Sequence, residues 1–123
     1  MERMKLIFFV GANPARDAGR LCAAYRFATA ATGAGLAAEV RLAGDAVLAA
    51  DPAFVAAVPG ADELRGRIDA ASRQGLDVSV CPAATAECGI NHEQVTAMGA
   101  RSRRLEDILV EVSEGRSVLV HCG

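Results

Sequence analysis

The chain has 123 residues, 52% hydrophobic and 23% charged, and its formal net charge is −2. This length and composition are typical of a soluble globular protein, so we predict a single domain over residues 1–123. The small net charge and the scarcity of aromatic residues argue against a nucleic-acid partner. The apolar run at residues 6–10 is too short for a signal peptide or a membrane span. We therefore expect no membrane partner and a cytoplasmic protein, whose thiols stay reduced.

The first third of the chain predicts a strand, a helix and a second strand. KLIFFVG, residues 5–11, is a continuous β-rich run of the kind found in strands that are covered on both faces. Apolar residues then recur at helical spacing from Ala18 to Ala28, and Gly33 and Gly35 end the helix. AAEVRLAG, residues 37–44, predicts a second strand. Because a helix connects the two strands, we expect them to be parallel.

The segment 45–60 is apolar but is interrupted by Pro52 and Pro59, which predicts short helical turns. It holds more apolar surface than a short connection needs. We expect four of its side chains to face the core or a neighbouring subunit: Val47, Leu48, Phe54 and Val55. A surplus of apolar surface marks subunit contacts, so this segment predicts a homo-oligomer.

The second half of the chain continues the alternation of strands and helices. We predict a helix over 62–74, a strand over 76–81, a short strand over 95–100 and a final strand over 117–122. Ser102 is predicted to cap a helix that carries Leu105, Ile108, Leu109 and Val112. This order predicts a three-layer α/β domain with a mostly parallel sheet. Reacting groups gather at the carboxyl ends of such strands, here at residues 11–14, 81–82 and 121–122.

The segment DVSVCPAATAECGIN, residues 77–91, holds two of the four cysteines. Cys81 ends a predicted strand, and Pro82 suits the first position of a short helix. Cys81 would then face the positive end of that helix, which favours the nucleophilic thiolate. Cys88 would lie at the opposite end beside Glu87, where both charges disfavour a thiolate. Cys81 is therefore the candidate catalytic nucleophile.

Three other interpretations of the cysteines stay open. A Cys81–Cys88 disulfide would have to bridge about 10 Å of helix, whereas its Cα atoms must lie within about 7 Å. A zinc site would combine Cys81, Cys88 and His92 with His121 or Cys122, but the usual tight CxxC pair is absent. Buried and inert thiols are the third interpretation, which we favour for Cys22, Cys88 and Cys122. We expect no metal and no cofactor.

The loop GANPARDAGR, residues 11–20, follows a strand and opens a helix, as phosphate-binding loops do. It lacks both GxGxxG and GxxxxGK[ST], so it does not predict a nucleotide site. Its backbone N–H groups could still bind a small anion or a persulfide. Asn13 in this loop and Pro82 beside the cysteine are the candidate substrate-binding residues.

The segment GLDVSVCPAATAECGI resembles the active-site stretch of the DsrE/TusD-like (DsrE/DsrF-like) sulfur-relay proteins. The strands and helix ends around LIFFV, RFATAATGAG and LAGDAV are also similar. The matching positions are Gly75, Val78, Cys81, Ala83, Ala84, Gly89 and Ile90. The resemblance implies an α/β/α fold with five parallel strands and a persulfide on Cys81, and it implies trimers or hexamers. Family members often have basic residues where Glu87 and Cys88 stand here, which leaves the partner protein open.

Two function classes follow from these observations. In the first, the protein is a sulfur carrier or sulfurtransferase that receives sulfur from a donor protein on Cys81 and hands it to an acceptor by thiol exchange. In the second, the protein is a non-catalytic oligomeric module that binds a small ligand or a protein partner, and Cys81 is a packed residue.

Overall fold

A computed structural model describes residues 4–123, so residues 1–3 of the predicted domain lie outside the described residues. The described part contains one parallel sheet of five strands in the order β4-β3-β2-β1-β5. The strands are β1 (Lys5–Val10), β2 (Ala37–Leu42), β3 (Asp77–Val80), β4 (Arg101–Ser102) and β5 (Ser117–His121). Helices lie on both sides of this sheet, which confirms the predicted α/β/α architecture.

Six α-helices and one 3₁₀ helix connect the described strands. The 3₁₀ helix covers Gly44–Ala50. The α-helices are α1 (Ala18–Gly33), α2 (Pro52–Ala56), α3 (Ala61–Arg73), α4 (Pro82–Glu87), α5 (His92–Ala97) and α6 (Leu105–Ser113). No helix in this part of the chain is both long enough and apolar enough to cross a membrane.

One face of the sheet forms the main hydrophobic core with α1 and α3. Successive side chains of a strand point to opposite faces, so alternate residues of each strand share this core. The strands contribute Phe8, Val10, Val40, Leu42, Val78 and Val80, and the two helices contribute Leu21, Tyr25, Leu64 and Ile68. Burial in this core raises the pKa of the Tyr25 hydroxyl. This face therefore buries the apolar surface expected for a domain of alternating strands and helices.

The opposite face of the sheet is different, because charged side chains occupy its centre. Glu39, Arg41 and Ser79 are each at most 1% exposed. Ile7 and the α6 residue Ile108 are fully buried but lie outside the main core. Helix α6 packs next to β5 and reaches this face through Glu111, which forms a salt bridge to Arg103.

Two predictions for the segment before α6 are wrong. Residues 95–100 do not form a strand: they include the end of α5 and the turn at Gly99, where φ is 74°. The Asn91 and Gln94 side chains form a capping box that starts α5. Ser102 does not cap a helix, because it pairs with Val80 in β4. Arg104 is the residue that precedes α6, and its side chain makes no capping bond.

The segment 45–60 forms the predicted short helical turns. Asp51 caps α2 by accepting a hydrogen bond from the Ala53 N–H, and Pro52 occupies the first helical position. Val47 and Val55 are buried, and Leu48 and Phe54 are half-buried against the main core. These side chains therefore face the core of their own chain, the first of the two predicted environments.

Candidate functional site

Cys81 lies where the sequence predicts it, between the end of β3 and the start of α4. Its backbone is extended (φ −82°, ψ 126°), and Pro82 is at the first helical position. The thiol is half-buried and makes no capping hydrogen bond to α4. Helix α4 has only six residues, so its dipole is small. A charged side chain nearby acts on the thiol more strongly than such a short helix does.

Arg41 supplies that charge. The strand register places Arg41 of β2 beside Ser79 of β3, and Cys81 follows Ser79 by two residues in extended backbone. The charge of the Arg41 side chain acts on the Cys81 thiol. Burial lowers the pKa of the Arg41 guanidinium, and the charges of Cys81 and Glu39 oppose that lowering. Arg41 remains a cation, because the delocalised guanidinium group keeps its proton in proteins.

The Arg41 guanidinium is held from two sides. Its Nη1 donates to the backbone oxygen of Arg103 at 2.7 Å and to Ser79 Oγ at 3.3 Å. Ser79 Oγ in turn donates to Glu39 Oε2 at 2.5 Å. Arg41 Nε is buried and has no hydrogen-bond partner among the described residues. The guanidinium is therefore fixed beside Cys81 with part of its donor capacity unused.

Arg41 belongs to a larger group of charges on this face, which we call the charge cluster: Lys5, Glu39, Arg41, Asp77, Arg101, Arg103 and Glu111. Buried Glu39 lies at its centre and accepts from Lys5 Nζ at 2.8 Å and Arg103 Nη1 at 3.2 Å. Arg101 forms two hydrogen bonds to Asp77, at 2.8 and 2.7 Å. Such networks compensate the cost of removing charges from water.

The other three cysteines lie in environments that oppose a thiolate. Burial raises the pKa of the Cys22 thiol, and the charge of Glu63 adds to this. Burial also raises the pKa of Cys88, with further contributions from Asp45 and Glu87. Burial alone raises the pKa of Cys122. All four cysteines are free, so the Cys81–Cys88 disulfide that was considered above is not formed.

Asn13 and Pro82, the predicted substrate-binding residues, both lie at the carboxyl edge of the sheet. Asn13 Nδ2 donates to Asp45 at 3.3 Å, and its Oδ1 accepts from the Ala15 N–H at 2.9 Å. These bonds shape the loop before α1. Pro82 is exposed beside the half-buried Cys81. Their role in substrate binding stays a prediction.

Of the two histidines, His121 lies apart from Cys81 in the sheet. His121 of β5 is exposed and stacks on Phe9, with ring centroids 6.0 Å apart. Three strand spacings, about 14 Å, separate β5 from β3. His92 is exposed at the start of α5. Within residues 4–123, no three His, Cys, Asp or Glu side chains are grouped so that they could hold a metal ion.

Comparison with known proteins gives the family of the chain. The family model described as "DsrE/DsrF-like family" matches residues 4–120. The chain belongs to the DsrE/DsrF-like family. No curated protein matches the sequence significantly. Membership of the DsrE/DsrF-like family suggests a function related to sulfur relay.

Two solved structures share the fold of this DsrE/DsrF-like chain. One is BT1422, a conserved protein of unknown function from Bacteroides thetaiotaomicron, with 15% identity and a TM-score of 0.67; the match covers 95% of this chain and 93% of that one. The other is the ychN protein from E. coli, with 15% identity and a TM-score of 0.64; the match covers 98% and 99% of the two chains. At this identity the likeness shows the fold alone.

Two glycines of the family-like segment have a physical role in placing Cys81. Gly75 ends α3 with φ at 69°, and Gly89 follows α4 with φ at 70°. Residues with a Cβ rarely adopt this left-handed conformation. The glycines thus allow the sharp turns into β3 and out of α4, and these turns fix the position of the cysteine between them.

Sequence reasoning did not find Arg41, Glu39 or Ser79. For Glu39 and Arg41 the signal is in AAEVRL, where two charges stand at alternate positions of a strand predicted to be covered on both faces. Charged side chains in such a strand need partners. The strand register, which the sequence does not give, then identifies Cys81 as a neighbour of Arg41.

Proposed function

We propose that this protein is a sulfur carrier or sulfurtransferase that holds a persulfide on Cys81 and passes its sulfur to a partner protein. The observation that supports the proposal is the half-buried Cys81 thiol beside the buried Arg41 cation at the carboxyl edge of the sheet. A thiolate is the nucleophilic form of cysteine, and a neighbouring cation favours it. Family membership is consistent with this chemistry.

The transfer step needs no external oxidant or reductant. The Cys81 thiolate attacks the terminal sulfur of a donor persulfide, R–S–S⁻. A new S–S bond forms at Cys81 Sγ, the S–S bond of the donor breaks, and the donor leaves as the thiolate R–S⁻. The transferred sulfur keeps its oxidation state, and one negative charge stays at Cys81. An acceptor thiolate takes the sulfur by the same exchange in reverse.

The test is intact mass spectrometry after exposure to glutathione persulfide as a sulfane-sulfur donor. The expected result is that wild type gains one sulfur atom and Cys81→Ser gains none. Cys88→Ser is the matched control, because Cys88 lies at the other end of the same helix, and it should load like wild type. Loading of Cys81→Ser at the wild-type level would remove the proposal and leave the non-catalytic module as the function.

We also propose that the protein forms a homo-oligomer, a trimer or hexamer. The sequence predicts an oligomer from the apolar residues of segment 45–60. These residues pack against the core of their own chain, but other apolar side chains are exposed. Those on α6 and β5 are Leu105, Leu109, Val110, Val118 and Leu119. Apolar side chains gathered on neighbouring elements favour association with a second copy of the chain. A light-scattering mass equal to one 12.7 kDa chain at micromolar concentration would contradict this.

A further inference from the structure

Arg41 is a buried cation whose role the charge cluster does not explain. We propose that Arg41 is the residue that stabilises the negative charge on the sulfur of Cys81, first as the thiolate and then as the persulfide. The thiolate half stands on the geometry alone. The persulfide half rests on the proposed function.

The charge cluster has an excess of positive charge. It contains four cations and three carboxylates, and each carboxylate forms a salt bridge to Lys5, Arg101 or Arg103. Among the described residues Arg41 forms none, although it is 1% exposed. Glu39 compensates the Arg41 charge without forming an ion pair with it, and a buried cation that lacks a directly paired anion is costly. The strand register places the Cys81 thiol beside Arg41, and loss of the thiol proton supplies an anion there.

The guanidinium of Arg41 cannot turn away from Cys81 without losing its other bonds. Nη1 is engaged by the backbone oxygen of Arg103 and by Ser79 Oγ. Arg103 is itself fixed, because its N–H donates to the Val80 oxygen at 3.0 Å. Val80 directly precedes Cys81. One of the bonds that hold Arg41 thus comes from β3, the strand that ends directly before Cys81, and the other comes from a residue that is hydrogen-bonded to the end of β3.

Sulfur transfer moves the negative charge at Cys81 by only a short distance. When Cys81 accepts a sulfur atom, its charge stays at −1 but moves outward by one S–S bond, about 2 Å. A guanidinium presents several N–H donors in a planar fork, and Nε of Arg41 is unused. One cation can therefore stabilise both forms. It also reduces the repulsion between the Cys81 thiolate and an anionic persulfide donor.

Other groups near the pair do not replace Arg41. Glu39 on β2 opposes a negative charge at Cys81, and Arg103 after β4 is already paired with Glu39 and Glu111. The charge of Arg41 also reaches Glu106 on α6, but Glu106 is exposed and bonds mainly to Arg104. The Cys81 side chain also makes no capping hydrogen bond to the backbone of α4. Arg41 is therefore the group whose removal should change the reactivity of the Cys81 thiol most.

The experiment measures the rate at which iodoacetamide alkylates Cys81 as a function of pH, by peptide mapping, in folded protein. Arg41→Met keeps much of the side-chain volume and removes the charge. Near pH 7 its Cys81 rate should fall about tenfold, and the midpoint of its pH profile should move to higher pH. Arg41→Lys, which keeps the charge but not the fork, should retain an intermediate rate. Wild-type Cys81 should react before Cys22, Cys88 and Cys122.

The matched control is Arg101→Met, which removes one cation from the same cluster beside Asp77 rather than beside Cys81. Its Cys81 rate should stay within about twofold of wild type, because the Arg101 guanidinium bonds to Asp77 at the start of β3 and is partly exposed. An equal fall in Arg101→Met and Arg41→Met would overturn the inference, since it would show a general effect of the cluster. An unchanged rate and midpoint in Arg41→Met would overturn it too.

Two further measurements keep the outcome decisive. If Arg41→Met does not fold, Arg41→Lys and Ser79→Ala carry the test, and wild-type pH profiles in both would overturn the inference. Sulfur loading of each variant separates the two proposals. If wild type takes up no sulfur while Arg41→Met still slows alkylation, the proposed function fails and the thiolate half stands. If the Arg41 and Ser79 variants all load and alkylate like wild type, Arg41 has no such role and the proposed function stands.

Discussion

The two faces of the sheet differ in how they are stabilised. The face under α1 and α3 is an apolar core, where burial of surface alone is favourable. The opposite face buries Glu39, Arg41 and Ser79, whose removal from water must be compensated by partners. A single strand shows both solutions, because Val40 points to the core and its neighbours Glu39 and Arg41 point to the charge cluster.

The difference bears on function because a buried charge network is not an efficient way to stabilise a fold. Replacing such a network with well-packed apolar residues is often neutral or stabilising. In this protein the network ends at Cys81 through Arg41. We therefore interpret the charged face as the part of the fold that controls the thiol, and the apolar face as the part that keeps the sheet folded.

The largest expected effect comes from removing the central carboxylate. Glu39→Gln should lower the free energy of unfolding by about 3 kcal/mol, because Lys5, Arg101 and Arg103 lose their shared anion. The partial exposure of Lys5 and Arg101 keeps the loss at the lower end of the usual range. Urea unfolding at neutral pH measures it.

The same variant should change the alkylation rate of Cys81 in the opposite direction from Arg41→Met. Without the Glu39 charge, Arg41 is less compensated, so Cys81 in folded Glu39→Gln should be alkylated faster than in wild type. A slower rate would contradict our assignment of opposing roles to the two side chains.

A smaller effect is expected from the other face of the same strand. Val40→Ala removes two buried methyl groups from the main core and should lower the free energy of unfolding by about 2 kcal/mol. Because Val40 points away from the cluster, the Cys81 alkylation rate of the folded variant should stay within about twofold of wild type. A large change in that rate would show that the two faces are coupled and would weaken the comparison.

The sequence predicts the apolar face better than the charged one, for a physical reason. Hydrophobic periodicity indicates which residues enter a core, and it correctly predicts β1, α1, β2, α3, β3 and β5. It also places Cys81 at the strand end. It cannot give the partners of Glu39 and Arg41, because these come from strands and loops distant in sequence, including Arg103 at a separation of 64 residues from Glu39.

The errors in the prediction have local causes. The apolar pattern of VTAMGA resembles a strand, but the Asn91–Gln94 capping box upstream starts a helix there and Gly99 ends it. Ser102 resembles a helix cap, yet Arg101 beside it forms a two-bond salt bridge to Asp77 that aligns this segment with β3. The Arg101–Asp77 ion pair thus accompanies strand β4 at a position where the capping preference of Ser102 favours the start of a helix.

The smallest expected effect lies at the exposed margin of the charged face and depends on pH. Burial alone would raise the pKa of the Asp77 carboxyl, but the hydrogen bond and charge of Arg101 and the charge of Lys5 outweigh it, so this pKa lies below its usual value. A lowered folded-state pKa stabilises the fold at pH values above the unfolded pKa. That stabilisation is lost as the pH falls through the folded pKa.

Asp77→Asn should therefore be less stable than wild type near neutral pH, and the difference should shrink in acid as wild-type Asp77 takes up a proton. Urea unfolding of both proteins between about pH 6 and pH 2 measures the difference, and carboxylates common to both cancel. In an Arg101→Gln background the same substitution should cost less at neutral pH, because the main partner of Asp77 is gone. A difference that is constant with pH, or equal in the two backgrounds, would show that the Arg101–Asp77 pair contributes shape rather than charge to this edge of the sheet.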